Sequence, residues 1–402
     1  MSEGRRSFLS RLPVIFSSKA GAKRSPPPSL VEQILSSIEK FEVFDTHEHI
    51  IPESQRISER ADFFTLASHY AFNDVISAGL PAESVGRIRD PSVSDGEKWR
   101  LFEPFWKHAR FTGYCQALRI AMRDIYGANT IDAATIGKLN DAIAARNRPG
   151  LYRYILKERA KIRVAVVDDY WNAGAVRPDP EFFVLAHKFD RFVLLDHAPQ
   201  VRELETLTKR SITTLAGLEQ ALETNFKQCL EAGMVTVKTT LAYNRNILFQ
   251  EITPADAERD FDRLMHTVTG AADFRARVLR PFRNLEDYMF HRVLQLADAH
   301  GIPFQVHTGL QAGNGNFVAN SNPTALTNLF FLYPRLRFDL FHISYPYQGE
   351  LSVLAKTFPN VFADFTWAHI VSPTAAQIAL HGFLEMIPAN KIFGYGGDSR
   401  YP

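Results

Sequence analysis

Cysteine is nearly absent: Cys115 and Cys229 are the only two in 402 residues. That excludes a disulfide framework and a cysteine-rich zinc finger. An excess of one charge is also missing, since 46 basic residues stand against 44 acidic ones, net +2. A dedicated nucleic-acid binder should show a strong basic excess. No apolar run approaches the roughly 18 residues that a membrane span needs. What is present is a chain 46% hydrophobic and rich in aromatics, with 31 Phe, 13 Tyr and 4 Trp. It is long enough to bury a sizeable core. The expectation is a soluble globular enzyme acting on a small molecule, with no nucleic-acid partner, no membrane span and homo-oligomerisation left open.

The N-terminus differs from the rest. Residues 1–25 hold six basic side chains and one acid, which leaves a small negative balance elsewhere. Arg5-Arg6-Ser7-Phe8-Leu9 resembles a twin-arginine export signal, but the apolar stretch after it, Leu12 to Phe16, is shorter than such a signal requires. A basic flexible tail over 1–28 and a cytoplasmic chain are therefore expected, with export through Arg5 and Arg6 as the alternative. Pro26-Pro27-Pro28 punctuates the chain before the fold begins.

From there, short apolar runs ending in polar residues alternate with helical patterns. The runs are 41–47, 162–168, 192–196, 234–238, 303–307, 336–342, 361–365 and 391–398. Helical spacing marks 29–40, 285–300, 323–332, 350–358 and 373–387. Strand–helix alternation repeated about eight times implies a parallel sheet with helices outside, and so a (β/α)8 TIM barrel. A doubly wound open sheet is the runner-up, weakened by the lack of a Gly-x-Gly-x-x-Gly turn after the first strand. The barrel spans 29–49 and 162–402. Residues 50–161, with helical stretches at 98–110, 114–126, 135–145 and 151–159, form a helical insertion between strands one and two, read as a lid over the barrel mouth. A separate helical domain beside the barrel is the bland alternative.

The chemistry sits at the strand ends. His47 and His49, two apart on a strand, face the same side, and imidazole is the commonest metal ligand near neutral pH. Lys238 ends strand four, His307 strand five, His342 strand six and Asp398 strand eight. All these ends meet at one face of a (β/α)8 barrel, where active sites lie. Core packing alone would require isolated, satisfied histidines and an idle acid at the mouth.

This set resembles the amidohydrolase superfamily. The match comprises Asp45-Thr46-His47-Glu48-His49, Lys238, His307, His342 and Asp398. The stretches 237–245, 304–316, 322–347 and 396–402 look like the amidohydrolase-related (amidohydrolase 2) branch, which includes domains fused to glutamine synthetase-like proteins. The long segment after His-x-His, together with 167–171 and 398–400, is similar to uronate isomerase. The resemblance implies that His47, His49 and Asp398 hold one divalent metal, most often zinc, with manganese or iron as alternatives. It implies that Lys238, once carboxylated, bridges to a second ion held by His307 and His342. An unmodified Lys238 is a cation that would repel a metal and could bind a substrate carboxylate instead, which leaves a one-metal site open.

A bound zinc lowers the pKa of its water from 15.7 to about 7, and Asp398 is the candidate general base and later proton donor. His342 is a candidate for polarising the carbonyl-type carbon under attack, and Lys238 completes the catalytic set. Loop residues suggest a small polar or anionic substrate: Arg56, Tyr243, Arg245, Gln311, Tyr345, Trp367 and Arg400. Arginine forks suit carboxylates, although Arg56 and Arg400 could equally pair with local acids. His197 is left behind the site, and His69, His108, His187, His266, His291, His300 and His381 are expected to be structural. Three functions remain: a metal-dependent hydrolase, an isomerase or decarboxylase on the same barrel, and a silent barrel serving as an interaction module. The family pattern ending in "GGDSRYP" normally runs into a final helix. The chain is therefore expected to be a fragment, or else helix 29–40 covers that face.

Overall fold

The structure is a computed structural model and describes residues 28–59, 61–168, 178–270 and 280–402. Arg5 and Arg6 fall outside them, as do residues 169–171 of the uronate isomerase-like stretch. The chain divides into two units, 1–41 and 42–402. The first contains helix Leu30–Ile38, started by a capping box in which Ser29 and Glu32 bond each other's backbone N–H groups.

The second unit is an eight-stranded parallel barrel in strict sequence order. The strands are β1 (Val43–Glu48), β2 (Ile162–Asp168), β3 (Phe183–Lys188), β4 (Met234–Thr239), β5 (Phe304–Val306), β6 (Phe338–Leu340), β7 (Val361–Asp364) and β8 (Ile392–Phe393). β8 is much shorter than 391–398. Beyond it, the segment 395–400 runs extended against β1 and closes the barrel. Thr46 N donates to Tyr395 O (3.2 Å), Asp398 N to His47 O (2.9 Å) and His49 N to Ser399 O (3.0 Å).

The third strand is a correction. Phe192–Asp196 is not a strand: Asp190–Val193 is one helical turn, and β3 lies earlier, at Phe183–Lys188. Two adjacent apolar runs compete there, and length and composition do not separate them. The turn wins at 190 because the Asp190 carboxylate accepts from Thr240 N (2.7 Å) and Thr240 Oγ1 (3.0 Å), tying it to the end of β4. Phe192, Val193 and Leu195 are buried as packing residues rather than as a strand. Two helical stretches also differ in kind: 323–332 splits into a 3-10 turn and helix Thr327–Leu332, and Arg153–Arg159 is a π-helix.

The main core lies between strands and outer helices, where Phe226, Leu222, Met289, Phe290 and Phe304 pack together. The β1–β2 connection has its own aromatic cluster. Phe63 meets Phe102 and Trp106 edge-on, at 5.9 and 5.8 Å. Helices Asp95–Ala109, Gly113–Tyr126 and Ile136–Arg146 sit close to expectation. Four short helices, Glu53–Ser58, Phe63–Ala67, Ala71–Ser77 and Ala82–Arg89, were not anticipated. Asp62 caps one by accepting from Thr65 N (2.7 Å) and also pairs with the buried Lys98 (3.1 Å). Among the described residues, no helix is long and apolar enough to cross a membrane.

Four further acids are buried on the strands: Asp45 and Glu48 on β1, Asp339 on β6 and Asp364 on β7. Gln305 Nε2 donates to Asp339 Oδ2 and to Thr46 O, both at 3.1 Å. Asp364 Oδ1 accepts from Thr366 N at 2.6 Å. Asp339 and Asp364 also share a side-chain hydrogen bond with each other. Burial pushes the Asp364 carboxyl up to about 6 and drives Asp339 well above the carboxylate range. A carboxyl whose folded pKa exceeds its unfolded value stabilises most below the unfolded value and progressively less as pH rises. The wild type should therefore lose stability relative to Asp364→Asn, which mimics the protonated acid, as pH rises from about 4 to about 6. Urea midpoints of both proteins across that window test this, and parallel profiles would refute it.

Candidate metal centre

β1 ends in alternation that sends His47 and His49 to one side, and the seam hydrogen bond from Asp398 N brings the carboxylate between them. Asp398 Oδ1 lies 3.0 Å from His49 Nε2 and 3.5 Å from His47 Nε2, and the two ring nitrogens are 3.3 Å apart. All three ligand atoms fall within 4.8 Å of one another. Two ligands each about 2.0–2.1 Å from a tetrahedral zinc stand about 3.3–3.4 Å apart. The triangle therefore fits a divalent ion of that size.

The tautomers agree. His49 Nδ1 donates to Asp168 Oδ1 at 2.7 Å, so Nε2 is the nitrogen that faces Asp398 and would ligate an ion; Asp168 and Asp398 raise the ring's pKa against its burial. Burial and the neighbouring Lys238 hold the His47 ring well below its usual range, and it stays neutral. Asp398 is kept ionised by His49, His47 and Lys238 despite complete burial.

His307 and His342 form a second pair. His307 Nε2 donates to Leu310 O (2.9 Å) and His342 Nδ1 to Thr366 O (2.9 Å). That leaves His307 Nδ1 and His342 Nε2 facing each other at 2.9 Å, both as acceptors. Burial pushes His342 down to about 4 and His307 well below its usual range, so a bridging proton is disfavoured. Two lone pairs at this distance suit a shared cation. His342 Nε2 is also 3.7 Å from Asp398 Oδ2, which places this pair beside the first triangle. Lys238, 1% exposed, points its Nζ at His47 Nε2 and lies 3.6 Å from Asp168 Oδ2. Burial lowers its pKa.

The loop residues divide. Tyr243 lies against His307 with the rings tilted by 51° (centroids 4.7 Å), and Trp367 meets His342 edge-on at 5.0 Å. Gln311 is buried near this wall, with Nε2 donating to Ala242 O at 2.5 Å. Arg400 lines a cavity of about 450 Å³ together with His69, Lys98, Arg89, Thr65 and Ser68. Two expectations are corrected. Arg245 is fully buried in the barrel wall, its fork taken by Glu286 (2.8 Å) and Asp287 (2.5 Å), so no donor pair is left for a substrate. Arg56 is also fully buried, donating to Tyr126 Oη (3.0 Å) beneath the ring of Tyr401. Tyr345 is half-buried and packs partly against the main core. His197 pairs with Asp196 ahead of helix Ala198–Thr208.

Two residues were passed over. Asp168, at the end of β2, touches His49, and its run "IRVAVVD" carried the same apolar-then-acid signal as the other strand ends. His69 was set aside as structural, yet its ring lies 6.2 Å from His49 and its Nδ1 accepts from Arg400 N at 3.2 Å. It sits on an irregular stretch whose spacing carries no strand signal.

Comparison with known proteins follows this geometry. Residues 233–398 match the amidohydrolase family profile, a stretch that contains Lys238, His307, His342 and Asp398. The protein fluG of Emericella nidulans is 31% identical over 168 residues, which are 40% of this chain and 19% of fluG. The aligned stretch thus spans about a fifth of that curated relative. Among solved structures, the uronate isomerase of Thermotoga maritima superposes with a TM-score of 0.71 at 14% identity, over 92% of this chain and 85% of that one. The glucuronate isomerase of Caulobacter crescentus gives 0.70 at 17%, over 92% and 82%. Residues 233–398 thus match the amidohydrolase family, and the chain shares its TIM-barrel fold with uronate isomerases.

Proposed function

We propose that the protein is a metal-dependent hydrolase of the amidohydrolase type, acting at a carbonyl-type carbon of a small polar or anionic substrate. The observation that carries this reading is the convergence of His47 Nε2, His49 Nε2 and Asp398 Oδ1 within 4.8 Å at the barrel mouth. His47, His49 and Asp398 would hold one divalent ion, and His307 with His342 a second. Lys238, carboxylated as the family resemblance implies, would bridge them, and burial favours the neutral amine that carboxylation requires. The metal supplies Lewis acidity and lowers the pKa of water, as in other zinc hydrolases.

The remaining work falls to the chain. Asp398, ionised and aimed between the two histidine pairs, takes the proton as water attacks and returns it to the leaving group. His342 keeps its Nδ1 proton on Thr366 O, so its Nε2 stays directed at the reacting centre. Trp367 and Tyr243 wall off the histidines. The cavity bordered by His69 and Arg400 accepts the rest of the substrate, although Lys98 on its wall is paired with Asp62 and Arg400 lies 3.6 Å from Glu59. The helices between β1 and β2 act as the lid: Tyr70 Oη donates to Asp398 O, and Asn314 Nδ2 reaches Asn73 O at 3.2 Å.

A second reading rests on Lys238 as it stands. As an ammonium beside His47 and Asp168 it opposes a second cation and supports a one-metal isomerase or decarboxylase.

Elemental analysis of protein purified without chelator should find one or two equivalents of zinc, manganese or iron per chain. Two equivalents, with a carbamate signal from ¹³C-bicarbonate, favour hydrolysis. One equivalent favours the second reading, and no metal even after addition removes both. On a panel of small lactones and N-acyl compounds, Asp398→Asn at saturating metal should lower kcat by about 10²–10⁴-fold. Full turnover with metal bound would refute the proton-transfer role.

A further inference from the structure

We propose that Asp168 is the positioning residue of the metal centre: through its side chain, β2 fixes the ring of His49 and the two neighbouring lysines. The proposal rests on the metal-centre reading above. Asp168 lies outside the matched stretch, and its side chain is fully buried. Its Oδ1 accepts from His49 Nδ1 at 2.7 Å. Its Oδ2 accepts from Lys188 Nζ at 3.1 Å, and stands 3.6 Å from Lys238 Nζ and 3.9 Å from His47 Nε2. One carboxylate thus joins groups from β1, β3 and β4, and Lys188 and Lys238 are register partners across β3 and β4.

The consequence is specific. An imidazole has one proton to place when neutral, and Asp168 claims it at Nδ1. Only then does Nε2 carry a lone pair where Asp398 Oδ1 and His47 Nε2 converge. A carboxylate behind a ligating histidine also raises its basicity and locks the ring plane. His307 and His342 obtain the same tautomer control from backbone carbonyls, whereas His49 depends on a side chain that a point substitution removes.

Lys188 acts on Asp168 rather than on the metal. If Lys238 becomes a carbamate, its new negative charge lies near Asp168 Oδ2. Lys188 is then the cation that keeps two anions side by side. An unmodified Lys238 leaves Lys188 with a lesser part.

The test uses the whole 402-residue chain, zinc competition against a chromogenic chelator, and the visible spectrum of the cobalt-substituted protein. Asp168→Asn keeps the shape but removes the charge and offers His49 an ambiguous partner. It should weaken zinc binding by roughly ten- to hundred-fold and shift the cobalt spectrum. Asp168→Glu should recover part of the affinity, and Lys188→Met should fall between wild type and Asp168→Asn. A folded Asp168→Asn with wild-type affinity and an unchanged spectrum overturns the proposal. If that variant does not fold, zinc-loaded wild type labelled with ¹⁵N-histidine decides: a deprotonated Nδ1 on His49 overturns it, and a protonated one coupled to a carboxylate supports it. Failure of the wild type to bind metal is a different result, because it removes the metal-centre reading itself.

Discussion

The hydrogen bond from Asp398 N to His47 O does two things at once. It closes the barrel where β8 is too short to pair with β1 as a regular strand. It also sets the separation between the first and last ligands along the chain, residues 47 and 398. This approach needs glycine. A Cβ on Gly397 would come within 1.9 Å of Glu48 Oε1, and one on Gly396 within 2.0 Å of Thr366 Oγ1. Asp398 itself takes a positive φ of 53°, costly for a residue with a side chain, and so turns its carboxylate back over β1. The seam of the barrel and the geometry of the site are one constraint.

Buried acids around that seam fall into two kinds. Asp45, Glu48, Asp339 and Asp364 have their pKa values raised by burial. Asp168 and Asp398 are equally buried, yet held ionised by histidines and lysines. Desolvation acts on all six, and the neighbours decide the outcome. The ionised pair places negative charge where a cation would sit.

Much of this was legible in the sequence. His47, His49, Lys238, His307, His342 and Asp398 each end an apolar run, and barrel geometry brings such ends together. β3 was not legible, because "FVLAHK" and "FVLLD" lie a few residues apart with similar apolar character, and only the tie from Asp190 to Thr240 separates strand from turn. That slip concealed Lys188, and with it the cation on the far side of Asp168. The arginines failed for another reason. A loop arginine near a mouth looks the same in sequence whether it faces solvent or, like Arg245, is locked on Glu286 and Asp287 within the wall. Its acids lie some forty residues downstream on helix Arg283–His300, a pairing that no local pattern encodes.

The four histidines differ in what holds their outer nitrogens, and this bears on how the site tolerates change. Thr366 O and Leu310 O serve His342 and His307 whatever side chains those positions carry. Their tautomers are properties of the backbone path. His49 relies on Asp168, and His47 Nδ1 has no partner among the described residues. The β5–β6 side is therefore fixed by fold, and the β1 side by side-chain identity. Substitutions near His307 and His342 should be absorbed as long as the loops keep their course. On the β1 side, a single carboxylate stands between a ring poised to bind metal and one presenting the wrong nitrogen.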